Sequence, residues 1–266
     1  MKYWADLHLH TDLDPKRNQW HGERPERLAK GIVDSKMNVY STTEHNRINP
    51  RFFDVQAEVD RLLEVRRHRK KILGLLGVEL SVTFQGNLYH AYYVFEKPFN
   101  RQNLPEIPPP YTSLEKLEHA LKIDYPGILI LAHPAWRDEW KGRTTAMTRE
   151  LLKSGLVDGA EILNGSMLHN GARIEITRNA MKAFLRTHHG KCARKPAAIG
   201  ASDAHKADVV GTAFTEFYAD QPEGIFDAVK ERNTRAYSRD SESNAKVKSL
   251  CRELPDIKKF VGVKKP

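Results

Sequence analysis

Cysteine is scarce in this sequence: Cys192 and Cys251 are the only two among 266 residues. Two thiols cannot build a disulfide framework or a four-cysteine zinc site, and a reducing compartment is their natural setting. Long apolar runs are missing too. None approaches the roughly 20 residues that a membrane-spanning helix needs, and the start MKYWADLHLH turns polar too early for a signal peptide. The expectation is a cytoplasmic protein without membrane contact. Glycine (16) and proline (14) are too few for a collagen-like or low-complexity chain, while 40% hydrophobic and 29% charged residues argue against disorder. There is no internal repeat of fixed period and no clear interdomain linker. The length fits one large domain, a class that includes α/β barrels, or two small ones.

Positive charge is in excess, with 43 basic against 34 acidic side chains and a net charge of +9. Much of it sits in two places, the run RLLEVRRHRKK from Arg61 to Lys71 and the segment from Arg232 onward. Such fields attract nucleic acid, phosphorylated metabolites or acidic surfaces, and equally serve as solvated helix ends and a solubilising tail.

Short β-branched or apolar runs alternate with segments of helical period, the pattern of βα units around a parallel sheet. Strands are predicted at Lys2 to Leu7, Asn38 to Thr43, Ile72 to Val78, Leu88 to Phe95, Gly127 to Ala132, Leu156 to Leu163, Ala197 to Ala201 and Ala213 to Phe217. Helices are predicted at Pro25 to Ser35, Asn49 to Lys70, Ser113 to Ile123, Thr144 to Ser154, Gly171 to His188 and Pro222 to Glu231. Pro25 and Pro222 suit a first helical turn, and Ser113 suits a cap. The proline-rich PFNRQNLPEIPPPY is a loop. Residues 1–240 are read as the barrel and 241–266 as a basic peripheral tail.

Six of the twelve histidines, His8, His10, His45, His90, His133 and His205, stand in or just beyond predicted strands. In a parallel βα barrel the C-terminal strand ends converge on one face, where the loops build the site. His8 and His10 are two apart, as are Asp203 and His205, and a strand sends residues i and i+2 to the same side. Glu79 ends the third strand run, where its carboxylate can bridge two cations. A lone histidine in such a place is usually structural, but this many together point to a metal centre. Donors of nitrogen and oxygen without sulfur suit Mn, Fe or Zn, and their number calls for more than one divalent ion.

The strings ADLHLHT, STTEHN, GVELS, LAHPAW and GASDAH, in that order, closely resemble the polymerase-and-histidinol-phosphatase (PHP) family of metal-dependent phosphoesterases. The resemblance spans about Asp6 to Gly211. It implies a distorted seven-stranded, TIM-like βα barrel with a trinuclear metal centre at the C-terminal strand ends. Carried over by position, His8, His10, Glu79 and Asp203 would hold one ion, Glu79, His90 and His133 a second, and His45 and His205 a third. The loop after the first strand, TDLDPKRNQWHGERPERL, is longer than is usual in the family. His21 is chosen over Asp14 as the last ligand of the third ion, because His21-Gly22 directly precedes the Pro25 helix.

The chemistry implied is hydrolysis of a phosphoric ester by a water bridging two ions, with Asp203 or His205 orienting that water or protonating the leaving oxygen. Arg137, Arg47 and Lys206 lie within a few residues of expected ligands and are candidates for gripping phosphate. Trp20, Trp136 and Trp140 are stacking candidates or loop packing. Glu161 is a further residue at the edge of the site or a helix-capping partner, and Asn164 and Arg173 share that ambiguity. The favoured substrate is a phosphomonoester, most of all a nucleoside 3′,5′-bisphosphate or an oligonucleotide end. Histidinol phosphate is the runner-up, followed by nuclease activity on longer DNA or RNA guided by the basic segments, and last a non-catalytic metal-binding module.

Overall fold

The alternating pattern folds as a ten-stranded sheet flanked by eight α-helices among the residues that the computed structural model describes, 1–11, 24–68, 71–134, 145–169, 174–190, 192, 194–239 and 241–263. In chain order the elements are β1 (Lys2–Leu9), α1 (Pro25–Asp34), β2 (Val39–His45), α2 (Arg51–Val65), β3 (Leu73–Phe84), β4 (Asn87–Phe95), α3 (Leu114–Asp124), β5 (Gly127–Leu131) and α4 (Thr145–Lys153). They continue as β6 (Gly159–Asn164), α5 (Gly165–His169), α6 (Ile174–His189), β7 (Ala197–Ala201), β8 (Ala213–Tyr218), α7 (Ile225–Lys230), β9 (Thr234–Ser238), α8 (Ser241–Glu253) and β10 (Val261–Val263). Every predicted strand and helix is present, with shifted ends. The second helix stops at Val65 rather than Lys70, because Arg67 takes a left-handed φ of 53°. Ser113 caps α3 by accepting the Lys116 N–H at 3.4 Å.

The strand order is β10-β9-β8-β1-β2-β3-β4-β5-β6-β7. β1, β2 and β3 run parallel, as do β5, β6 and β7. Between the two sets β4 is antiparallel to both neighbours, joined to β3 by a tight turn with positive φ at Gln85 and Gly86. The ring comes back on itself where Leu9 bridges Ala204 in parallel fashion and the His10 N–H donates to the Ala204 carbonyl at 2.9 Å. Lower down, β8 fills the gap between β1 and β7. It pairs with β1, and its Thr215 hydroxyl bonds the backbone of Gly200 in β7. Gly200 is required there: a Cβ on it would lie 2.4 Å from the Phe214 carbonyl oxygen. The result is a nearly closed seven-stranded barrel with a three-stranded extension, the distorted TIM-like α/β fold expected.

The interior is packed rather than hollow. Tyr3, Ala5, Leu7, Val39, Leu75, Tyr92, Val94, Ile128, Ile130 and Ile199 form one buried cluster, closed at the N-terminal strand ends by Ile225, Phe226 and Val229 of α7. A larger cluster lies between the sheet and its helices. Residues 241–263, read from sequence as a tail, form a helix, a 3-10 turn and a strand. Val247, Leu250 and Ile257 are buried in the outer core and β10 pairs with β9. Among the described residues no helix is long and apolar enough to cross a membrane.

Two irregularities aim side chains at the mouth. The β1–β2 register slips between Asp6 and Leu9, so β1 carries one extra residue. Below the slip Tyr3, Ala5 and Leu7 face the interior, whereas above it Leu9 joins the outer core and His8 and His10 turn inward. A second slip in β6, between Glu161 and Leu163, sends Ile162 and Leu163 outward and brings Glu161 and Asn164, three apart, to one polar cluster.

Candidate metal centre

The C-terminal strand ends gather the expected residues. His8 and His10 come from β1, His45 from the end of β2, Glu79 from β3, His90 from β4, His133 from the turn after β5, and Asp203 and His205 from the turn after β7. Glu79 is the centre of the group. Its Oε2 lies 3.4 Å from His8 Nε2, 3.5 Å from His10 Nε2 and 2.8 Å from His45 Nδ1. Its Oε1 lies 3.3 Å from His90 Nδ1 and 3.2 Å from His133 Nε2. Asp203 Oδ1 stands 3.3 Å from His10 Nε2 and 3.7 Å from both His8 Nε2 and His205 Nδ1. Among the described residues three sets, two of which share His10, place their donor atoms within 4.8 Å of one another: His8, His10 and Asp203; His10, His45 and His205; Glu79, His90 and His133. Sequence reasoning put His10 in one set, whereas the geometry puts it in two.

The chemistry of these donors fits cations. His8 Nε2 and both ring nitrogens of His10 are buried and make no hydrogen bond. They face carboxylate oxygens at distances and angles poor for hydrogen bonding, yet suited to sharing an ion between them. Burial opposes charge on these groups, but opposing partners prevail. Glu161, Asp203 and Glu79 hold the His8 imidazolium well above the usual histidine range. Asp203 and Glu44 push His10 up to about 9. Imidazoles hold the Glu79 and Asp203 carboxyls well below the carboxylate range. His205 goes the other way, down to about 4, through burial and the neighbouring His10. The protein alone thus balances fixed negative charge with protons, and divalent ions would displace them.

The cup grades from dry to wet. His8 and His10 are fully buried, whereas the His45 and His205 side chains are 30% and 36% exposed at the rim. Tyr92 forms the floor, its ring 4.7 Å from that of His8. Arg47, two residues past His45, and Lys206, next to His205, are exposed beside the mouth. His21, Asp14, Asp12, Arg137, Arg173, Trp20, Trp136 and Trp140 lie outside the described residues.

Sequence reasoning passed over Glu44 and left Glu161 and Asn164 open between the edge of the site and a helix cap. Glu44 accepts bonds from the Thr11 N–H and hydroxyl, and Asn49 Nδ2 donates to that hydroxyl at 3.0 Å, so β2 holds the exit of β1. The only sequence signal was an acid beside His45. Glu161 sits inside the site, bonded to His8, while Asn164 both donates to Glu161 and caps α5 by accepting the Met167 N–H at 3.1 Å.

Residues 193–234 match a family model described as PHP-associated. No curated protein matches the sequence. Among solved structures, PsfC from Pseudomonas syringae PB-5123 superposes with a TM-score of 0.55 at 16% identity, covering 96% of this chain and 99% of that one. An amidohydrolase from Chromobacterium violaceum, solved with bound sulfate and no metal, gives 0.50 at 14% identity over 86% and 96% of the two chains. A histidinol phosphate phosphatase from Lactococcus lactis, solved with zinc, L-histidinol and phosphate, gives 0.40 at 12% identity over 99% and 95%. The first two establish a shared fold. The segment that matches the PHP-associated model carries GASDAH, the last of the five ordered motifs.

Proposed function

We propose that this protein is a phosphoric ester hydrolase that uses two or three divalent transition-metal ions, Mn, Fe or Zn, and acts on a phosphomonoester of a nucleotide. The observation that carries the reading is the contact of one buried carboxylate, Glu79, with five imidazoles from β1, β2, β4 and the turn after β5. An acid so surrounded bridges cations in a way that a structural salt bridge does not require. Ions held there would supply Lewis acidity toward phosphoryl oxygens and lower the pKa of bound water.

The residues of the chain do the rest. His8, His10 and Asp203 form the dry base, which excludes bulk water and strengthens every charge interaction above it. Arg47 and Lys206 stand at the mouth to attract an anionic ester, and Arg137 is a further candidate for that role. His21 remains the proposed last ligand of the third ion. His205 Nδ1 lies 3.2 Å from the Asp203 carbonyl, an arrangement that leaves Nε2 to bind an ion or handle a proton at the leaving oxygen. Asp203, buried among imidazoles, is better suited to hold an ion than to donate a proton.

Among the described residues, the basic side chains at the end of α2 precede the start of β3, and Arg232 precedes the start of β9, where Thr234 pairs with Phe217 of β8 and Phe217 in turn with Tyr3 of β1. Both lie at the end of the barrel away from Glu79. Their position favours a small ester over a long nucleic acid tracked across the mouth. Purified protein supplied with Mn²⁺, Fe²⁺ or Zn²⁺ is expected to release phosphate from nucleoside 3′,5′-bisphosphates faster than from histidinol phosphate, and to lose this activity with chelator. Faster cleavage of a long duplex than of every small ester, or no chelator-sensitive release from any of them, would overturn the reading.

A further inference from the structure

One buried carboxylate near the centre, Glu161, belongs to none of the three donor sets. Glu161 is almost fully buried on β6, and its carboxylate oxygens bond to a proposed ligand, to the backbone of another and to the amide of Asn164. His8 Nδ1 lies 2.7 Å from its Oε1. The backbone N–H of His133 donates to its Oε2 at 2.8 Å, and Asn164 Nδ2 donates to the same oxygen at 3.0 Å. Asn164 Nδ2 also reaches Asp203 Oδ2 at 3.2 Å. The Glu161–Asn164 pair therefore binds three ligand-bearing segments that are far apart in the chain.

Two of those segments hold unusual backbone. His133 has φ of 24° and Asp203 φ of 52°, both in the region that non-glycine residues seldom occupy. Such conformations persist where the surroundings over-determine them, and the bond from the His133 N–H to Glu161 is one such restraint. For His8 the effect is on the ring itself. A carboxylate at 2.7 Å from Nδ1 selects the tautomer with the proton on Nδ1, which presents the Nε2 lone pair to Glu79 and Asp203. A histidine that ligates through one nitrogen and donates the other N–H to a carboxylate is oriented and made more basic by that partner.

We propose that Glu161 is a positioning residue of the metal centre, fixing the ring of His8 with Nε2 toward the ions and holding the backbone of His133 in its left-handed turn. The proposal rests on the metal-dependent reading above and adds a residue that touches neither metal nor substrate. The slip in β6 is what makes it possible, since regular pleating would send Glu161 and Asn164 to opposite faces.

Two measurements test it. In full-length protein labelled with ¹⁵N-histidine and loaded with Zn²⁺, the His8 signal, assigned by its loss in His8→Gln, is expected to show a protonated Nδ1 and a metal-bound Nε2. A proton on Nε2, or zinc on Nδ1, would overturn the proposal, and this readout leaves Glu161 itself unaltered. In Glu161→Gln the amide NH2 must oppose either His8 Nδ1–H or the two N–H donors at the other oxygen's place, and chelator competition is expected to show Zn²⁺ affinity reduced about 10- to 100-fold. Unchanged affinity in a folded Glu161→Gln protein counts against the role. Failure of the wild-type protein to bind Zn²⁺ at all would instead sink the metal-centre reading, so the two failures are distinct.

Discussion

Glu79 holds its place because five imidazoles need a counter-charge at the buried base of the cup, and a neutral isostere cannot supply it. Glu79→Gln keeps the shape and removes the charge. Its expected effect is a loss of metal affinity larger than the ~10- to 100-fold typical of a partner that only orients a ligand. Competition with a chelating dye, at matched protein concentration, reads it directly, and wild-type affinity in a folded Glu79→Gln protein would remove Glu79 from the centre. At this scale much was legible. Histidines two apart on a strand share a side, and that rule found His8 with His10. It found them for a reason only half right: the side they share is the interior because β1 slips register below them, and no residue in DLHLH announces the slip. Glu161 was ambiguous in sequence because its role depends on a similar slip in β6.

Elements were easier to read in the barrel than beyond it. Continuous apolar strands such as GILIL and AAIGA are buried on both faces and carry a strong signal. β9, reading TRAYS, is half-buried in the extension, and α8 has buried apolar residues spaced too thinly among Ser, Lys and Asn to stand out. Their order comes from docking against β8 and α5, a tertiary effect absent from local propensity. The tightest joint between barrel and extension is at Gly200. In Gly200→Ala the new methyl would meet the Phe214 carbonyl, a backbone atom that cannot swing aside, so β7 and β8 must part. A stability loss of about 1–3 kcal/mol is expected in urea unfolding. A midpoint equal to that of the parent protein would mean that this joint has slack.

Across the whole molecule the two ends of the barrel have different duties: α7 and the apolar interior close one end, and the charged cup opens at the other. The cup links stability to both metal and protons. His8 and His10 have raised values in the folded protein, so without metal their contribution is complete below the ordinary histidine pKa of ~6.5 and is lost as pH rises above it, for His10 toward about 9. Ions must displace these protons, so their affinity rises over the same interval. The gap in Tm between Zn²⁺-loaded and chelator-treated protein is therefore expected to widen from pH 6.5 to 9 in thermal scans. With metal at a thousand times its Kd, the stabilisation reaches about 4 kcal/mol. A gap that is constant or narrows with pH would mean that those two rings are not where the ions bind.

At its rim the strand circuit is fastened by the Leu9–Ala204 bridge, the His10 amide and the Asp6 carboxylate, which accepts the Ser202 N–H at 3.0 Å. His8 and His10 stand on one lip of that seam, Asp203 and His205 on the other. A cation gripped from both lips would act as a rivet, so that shutting the cylinder and arming it for catalysis become a single event.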